Sequence, residues 1–409
     1  MKTIIIGGGP AGLMAAIKAA DAGEDVLLIE HNEKIGRKLL ATGNGRCNLS
    51  NDGVESSCES RYSSLNKDDN CFSLVSSVFS RFGYEDTMAF FKKLGLITRN
   101  RDGLIYPYSD QASAVLDVLR FKLRELGVTI HTGEHVKGVK YENCSFNIMT
   151  QVGSYSSDRL ILATGSKAQP KLGSDGSGYD LLKSLGHSIT QVIPGLVQLR
   201  CRGKYFKSIS GVRVKAVLTL KNAKGVILHR ESGELQLTDY GISGIAVMNL
   251  SNRLLPEEKN AVVEADFLDG YSETELADFL LQKCRDFKDG NSEELLIGVM
   301  PKKLGEMIIK EAGISFGLSF NKITNDMINK VVKMLKGFRF EIEGTNSFNE
   351  AQICRGGVPC GEVDENLQSK KVPGLYIVGE LMDVHGDCGG FNLQWCWSSG
   401  AIAGAATKQ

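Results

Sequence analysis

Three glycines near the start of the chain, Gly7, Gly9 and Gly12, stand at the spacing G-x-G-x-x-G, just after the apolar run Ile4, Ile5, Ile6 and just before an alanine-rich stretch. The chemistry of such a turn is phosphate binding. Gly7 permits the tight turn and Gly9 lets the backbone approach a pyrophosphate. Gly12 lets a helix opened by Pro10 and Ala11 lie close on the strand, with its first amides facing the phosphates. A second apolar run, 25–29, delivers Glu30, eighteen residues after Gly12. A carboxylate there bonds a free ribose diol and repels a 2′-phosphate. The order strand, glycines, helix, acid separates this turn from a ligand-free one, and the adenosine half of either FAD or NAD satisfies it. Two further side chains are candidate proton donors: His385, between Asp383 and Asp387, and Tyr240, in GlyGluLeuGlnLeuThrAspTyrGly (233–241). The plainer roles are a loop histidine bonded to a neighbouring carboxylate and a tyrosine packing its own segment.

Composition bounds the class of protein. Lys plus Arg and Asp plus Glu both number 48 in 409 residues, so no global charge steers the chain toward nucleic acid or a membrane surface, and neither is expected as a partner. The apolar run after Lys2 ends at Ile6, short of a secretion signal, and no stretch reaches the ~18 apolar residues of a membrane span. A cytoplasmic protein is expected, in an oligomeric state that the sequence leaves open. The ten cysteines include no C-x-x-C pair and no zinc-like doublet, so disulfides, a dithiol relay and a metal site are not expected. Cys354 and Cys360 read as small buried residues, and Trp395 and Trp397 as core packing. No hydrolytic motif is present.

The elements that must position these residues follow from periodicity. Helical patterns fill 73–127, a strand starts at 128–131, 141–157 alternates as a strand pair, and ArgLeuIleLeuAlaThrGly (159–165) reads as a buried strand ending in a small-residue turn. After Pro194 the texture changes to short alternating strands at 212–220, 225–229 and 234–238, divided by AsnAlaLysGly and GluSerGly turns. Helical patterns follow at 272–288, 293–312 and 324–336. A strand near 338–343 then leads back to GlyLeuTyrIleValGlyGlu (374–380) and a small-residue helix at 398–406. The class is α/β. A dinucleotide-binding domain from 1–194 and 341–409 is interrupted by an insert, 195–340, whose β part spans about 195–268 and whose helical part spans about 269–340. The loop 36–51 gathers Arg37, Lys38 and Arg46, which suits either an anion or plain solvation. Glu380 and Asp383 end the returning strand, as ligand contacts or as a loop carboxylate and helix cap.

Taken together these residues resemble the BaiN-like or aminoacetone-oxidase-like FAD-dependent oxidoreductases, within the glutathione-reductase-like flavoproteins. The resemblance spans essentially the whole chain. It rests on GlyGlyGlyProAlaGly (7–12), GRKLLATGNGRCNLSN (36–51), LeuAlaThrGly with GlySerAspGlySerGlyTyr (162–165, 173–179), the motif at 233–244, and GlyGluLeuMetAspVal with GlyGlyPheAsnLeuGlnTrpCysTrpSerSerGly (379–400). It implies a Rossmann-like FAD-binding domain with an inserted β-barrel-plus-helical domain. It further implies FAD at the first fingerprint, with Glu30 on the ribose, Arg37 and Lys38 near the pyrophosphate, and backbone near Val136 at the adenine. Gly379, Asp383, Asn392 and Leu393 would hold the ribityl and flavin end, and the loop ending at Asn48 would line the flavin pocket. The chain departs from the family pattern at Asp239, Ile245, Cys354, His385, Phe391 and Cys396, where histidine, proline, threonine, aspartate, tyrosine and alanine are usual. The changes at 385 and 391 put transfer of a substrate between members in doubt.

The resemblance implies reduction, driven by NAD(P)H, of a carbon–carbon double bond conjugated to a ketone on a large apolar, steroid- or bile-acid-like substrate. Alternatives are an amine oxidase using dioxygen and a non-catalytic flavin-binding interaction protein. No second G-x-G-x-x-G follows a strand, so the nicotinamide would be a transient visitor.

Overall fold

The structure, a computed structural model, describes residues 1–66 and 71–406. Two compact units appear: Met1–Pro194 with the chain from Ala351 on, and Gly195–Glu350.

The first unit is built on five parallel strands in the spatial order Leu375–Ile377, Arg159–Leu162, Lys2–Ile6, Asp25–Ile29, Thr129–His131. In chain order this is the 3-2-1-4-5 arrangement of a dinucleotide fold, whose fifth strand comes from the far end of the chain. The strands read as near-continuous apolar runs because both faces are covered: Ile4, Ile5, Leu28, Leu160 and Ile161 are fully buried. The helix Pro10–Asp21 packs against the last helix, Phe391–Ala405, at very close range. The small residues of the second make this possible, since a Cβ at Gly400 or Gly404 would overlap the carbonyl oxygens of Ala11 or Ala15. Trp395 and Trp397 are buried in that helix, with indole N–H groups donating to the Gly379 and Leu49 carbonyls, both at 3.0 Å. They are core residues, as expected, but on a helix that starts at Phe391, seven residues earlier than the expected 398–406, and not on a turn. The helical stretch expected over 73–127 resolves into Cys71–Phe79, Tyr84–Lys93 and Ala112–Glu125. A hairpin, Thr98–Arg101 with Leu104–Pro107, lies between the last two.

One buried ion pair ties both chain ends together. Arg159, 2% exposed, places Nη1 at 2.8 Å from Oε1 of Glu24, stacks 4.4 Å above the Tyr376 ring, and donates to the carbonyls of Ala403 and Gly404. Removing one partner of such a pair strands the other in a low-dielectric site. Arg159→Met is therefore expected to destabilise this unit by about 3–5 kcal/mol in denaturant titration. A loss below about 1 kcal/mol would mean the pair is already hydrated.

The second unit contains a closed six-stranded barrel: Leu199–Cys201, Gly241–Ser243, Ile227–Leu237, Arg213–Lys221, Val262–Asp266 and Phe338–Thr345. The two strands expected at 225–229 and 234–238 are one eleven-residue strand. The GluSerGly sequence does not turn there. Gly233 stays in register opposite Ala216, and a Cβ on it would sit 3.4 Å from the Ala246 side chain. The glycine admits the helix Ile245–Ser251. The strand at 338–345 does not return to the dinucleotide sheet either. It pairs with Val262–Asp266 and Leu199–Cys201 and so closes the barrel, which carries the unit on to Glu350 instead of 340. The helices are Glu273–Asp286, Lys302–Glu311 and Asn325–Gly337. The second starts nine residues later than expected because Gly298 takes a left-handed φ of 82° and Pro301 precedes the first turn.

Candidate cofactor site

The C-terminal edge of the five-stranded sheet opens into a cleft lined by the glycine turn, Glu30, Thr164 and Glu380. It lies where the strand order reverses, between Lys2–Ile6 and Arg159–Leu162, the place at which open α/β sheets bind nucleotides. Gly7, at φ 108°, turns so tightly that a Cβ would overlap the Ala163 carbonyl. A Cβ on Gly12 would strike the Gly7 carbonyl oxygen, whereas a Cβ on Gly9 would meet nothing within 4 Å. Gly9 therefore borders open space, just ahead of the helix whose first turn has amides without intrahelical partners.

Glu30 is 7% exposed and lines the cavity. Its Oε2 accepts the Gly8 N–H at 2.7 Å, and its Oε1 accepts the backbone and side-chain N–H groups of Asn32 at 2.8 and 2.7 Å. These three bonds fix the carboxylate against the glycine turn and, since a carboxylate accepts about four hydrogen bonds, leave it about one further acceptor position. Gly36 N–H donates to the Gly8 carbonyl at 2.8 Å and closes 30–36 over the same turn. Pro10, Ala11, Arg37, Val136, Gly379 and Leu393 also line the wall, each a position expected at the cofactor.

Three expectations are revised. Lys38 lines the cavity but is already paired: its Nζ lies 2.7 Å from Oε2 of Glu380, which also accepts the Ser166 hydroxyl at 2.7 Å. Of the two strand-end carboxylates it is Glu380, not Asp383, that faces the cavity. Asp383 is fully buried and accepts backbone N–H groups from Leu65, Asn66 and Gly356 at 3.0–3.1 Å, so it fastens loops together. Asn392 does likewise. Its amide clamps Gly386 through Oδ1 and Nδ2, both at 2.9 Å, and reaches the Asp387 carbonyl at 3.2 Å.

The candidate donors also lie outside the cavity wall. His385 is 2% exposed, with Nε2 at 2.9 Å from the Ser63 hydroxyl and Nδ1 at 3.8 Å from Asp383 Oδ1. Tyr240 belongs to the second unit, half-buried, with the Arg200 guanidinium 5.8 Å above its ring. Cys354 is buried, and burial pushes its thiol up to about 11, which removes it as a thiolate near neutrality.

Thr164 Oγ1 and Asn48 Oδ1 are among the buried side-chain polar atoms of the described residues that have no hydrogen-bond partner. Thr164 lies in the AlaThrGly turn and lines the cavity, so a ligand with polar atoms would satisfy it. Asn48 ends a loop in which Gly43, Asn44, Gly45 and Cys47 all have left-handed φ between 55° and 81°. Two of these, Asn44 and Cys47, are not glycine, and left-handed backbone in such residues is costly and clusters at functional sites. The open space at Gly9, the carboxylate of Glu30 and the unsatisfied Thr164 together fit a dinucleotide.

The sequence profile described as HI0933-like protein Rossmann domain matches residues 1–406. The chain is 40% identical, over 99% of its own length and 98% of the relative, to a 3-dehydro-bile acid delta(4,6)-reductase of Clostridium scindens. It is 29% identical, over 97% of its length and 95% of the relative, to a ribosomal RNA dihydrouridine synthase of Escherichia coli. Among solved structures, a 3-ketosteroid-delta4-(5alpha)-dehydrogenase from Rhodococcus jostii is similar with a TM-score of 0.51 at 13% identity, covering 98% of this chain and 95% of that one. This last likeness concerns the fold alone.

Proposed function

The chain belongs to the HI0933-like family of Rossmann-domain proteins, and from that premise we propose that it is an FAD-dependent oxidoreductase that saturates a carbon–carbon double bond conjugated to a carbonyl. The observation that carries this reading is the full-length 40% identity to a bile-acid delta(4,6)-reductase, together with a cavity whose unsatisfied groups fit a dinucleotide. A flavin held there supplies hydride transfer. The chain's own residues do the holding. Gly9 and the first amides of the helix Pro10–Asp21 take the pyrophosphate, Glu30 bonds the adenosine ribose, and the backbone near Val136 borders the adenine. Glu380, fixed by Lys38 and Ser166, faces the polar chain that leads to the flavin ring. Gly379 and Leu393 complete that wall. NADH or NADPH acts as a transient donor, and the insert serves as the substrate or cap domain.

The substrate reading that follows from the 40% relative is a large apolar enone. A second reading has a specific observation behind it. Dihydrouridine is uridine with its ring double bond, conjugated to a carbonyl, saturated, so the synthase relative at 29% identity belongs to the same bond chemistry. Residues 200–230 of this chain also carry nine Lys and Arg and no Asp or Glu; Arg202, Arg213 and Lys221 are paired with carboxylates, and the other six are the cations that phosphates would meet. The even overall charge conceals it.

The purified protein is expected to be yellow, to release FAD on denaturation, and to be bleached anaerobically by NADH or NADPH. A colourless protein that takes up no added FAD would remove the reading. A flavin reduced by a primary amine and reoxidised fast by air would replace it with an amine oxidase. A flavin reduced by no donor would leave a binding protein.

A further inference from the structure

Away from the cavity wall, three side chains form an array whose hydrogen-bond order is specified by the structure. His187 is buried, with Nδ1 at 2.6 Å from Glu362 Oε2 and Nε2 at 2.8 Å from the Ser369 hydroxyl. The spacing is that of an acyl-transfer triad, but Ser369 is no nucleophile. It is 4% exposed, and its oxygen already accepts the N–H groups of Lys371 and Val372 at 3.0 and 2.9 Å. With both lone pairs used, the hydroxyl hydrogen must go to Nε2. Nε2 is then unprotonated, Nδ1 carries the proton, and it donates to Glu362. The carboxylate also accepts Ser188 N–H at 3.1 Å and Lys371 Nζ at 2.7 Å. A proton added to Nε2 would face an oxygen with nothing left to accept it.

The array joins two walls of the cofactor cavity. His187 follows the helix Ser177–Ser184, whose Ser177 and Leu181 line the cavity. Glu362 and Ser369 precede the strand Leu375–Ile377, which runs directly into Val378, Gly379 and Glu380 of the opposite wall. The Tyr179 hydroxyl donates to the Glu380 carbonyl at 3.2 Å, a second tie between the same two segments.

We propose that His187 is a positioning residue for the cofactor cavity, a proton-sensitive latch that holds its two walls together when neutral and lets them part, releasing the bound dinucleotide, when protonated. Burial lowers the affinity of His187 for a proton below its usual 6.5, against the pull of Glu362, while Lys371 adds to the lowering. These are the charged groups that face it among the described residues. The folded protein thus binds fewer protons at this site than the unfolded chain, so stability is complete above 6.5 and is lost as pH falls below it. Burial pushes Glu362 up, but its bonds from Lys371, Ser188 and His187 outweigh that and hold it below the usual carboxylate value. Its own loss therefore comes at lower pH, separate from that of the histidine.

The test uses the whole protein between pH 8 and 4.5, reading FAD release by flavin fluorescence and, separately, the thermal midpoint. His187→Gln offers an acceptor and a donor on one planar amide and cannot be protonated. Wild type is expected to lose FAD affinity by up to about tenfold per pH unit once His187 titrates, while His187→Gln matches wild type at pH 8 and stays flat to about pH 5. Glu362→Gln, which removes the anion favouring protonation, should move the wild-type loss to lower pH. Equal acid profiles in wild type and His187→Gln, or no acid loss in wild type, would overturn the latch. The release arm rests on the FAD reading above and the thermal arm does not, so a protein that binds no FAD still reports on His187 through its midpoint.

Discussion

Gly9→Val is expected to fold as the wild type does and to lose FAD affinity by at least about a hundredfold, on the order of 3 kcal/mol. Gly9 has an ordinary extended φ of −84°, and a Cβ there meets nothing within 4 Å in the protein itself. Valine costs the structure only a weaker helix cap. What it fills is the space that the proposed site gives to the pyrophosphate. Gly12→Val is the contrasting variant. Its side chain drives into the Gly7 carbonyl oxygen, so the helix cannot lie on the strand and stability falls together with binding. Thermal midpoints with and without added FAD separate the two. A Gly9→Val protein that binds FAD normally would show that the phosphates pass elsewhere.

The second large effect is expected at Glu30. Glu30→Arg removes the proposed ribose acceptor, turns away the Gly8 N–H that the carboxylate now accepts, and adds a second cation to a cavity wall that already holds Arg37. A hydrogen bond to a charged group contributes about 1.5–3 kcal/mol, so FAD affinity should fall roughly ten- to a hundredfold or more. Glu30→Gln, which keeps an acceptor for Gly8 N–H, should lose less. The same variant tests which dinucleotide is read, because an arginine at this position suits a 2′-phosphate. FAD titration giving equal affinities for wild type and Glu30→Arg would remove Glu30 from the site.

The glycine turn, the strands on either side of it and the place of Glu30 on the cavity wall are legible in the sequence because each apolar run ends on a residue that lines the cavity. The choice between Glu380 and Asp383 was not legible. Both follow the same strand, and what separates them is a set of backbone amides from Leu65, Asn66 and Gly356, remote in sequence and without side-chain signature. The long strand Ile227–Leu237 was divided in reading because glycine marks both turns and close helix approaches, and only the packing of Ala246 on Gly233 tells them apart. The place of the strand 338–345 in the barrel is not legible for a related reason, since periodicity identifies a strand but not its neighbours. Thr164 was visible only as part of a small-residue turn; its unsatisfied hydroxyl is a property of the fold. His187, Glu362 and Ser369 lie up to 182 residues apart, and no spacing rule joins them.

The central claim, saturation of a conjugated double bond by the protein-bound flavin, is tested most directly by photoreducing the holoprotein without oxygen and mixing it with one acceptor at a time: a 3-oxo-delta(4,6) bile acid, a uridine-containing ribosomal RNA fragment, or air. The account predicts that one of the first two returns the flavin spectrum faster than air does and gains two hydrogens by mass spectrometry, in an amount equal to the flavin reoxidised. Reoxidation by air alone, with both conjugated acceptors recovered unchanged, would contradict it.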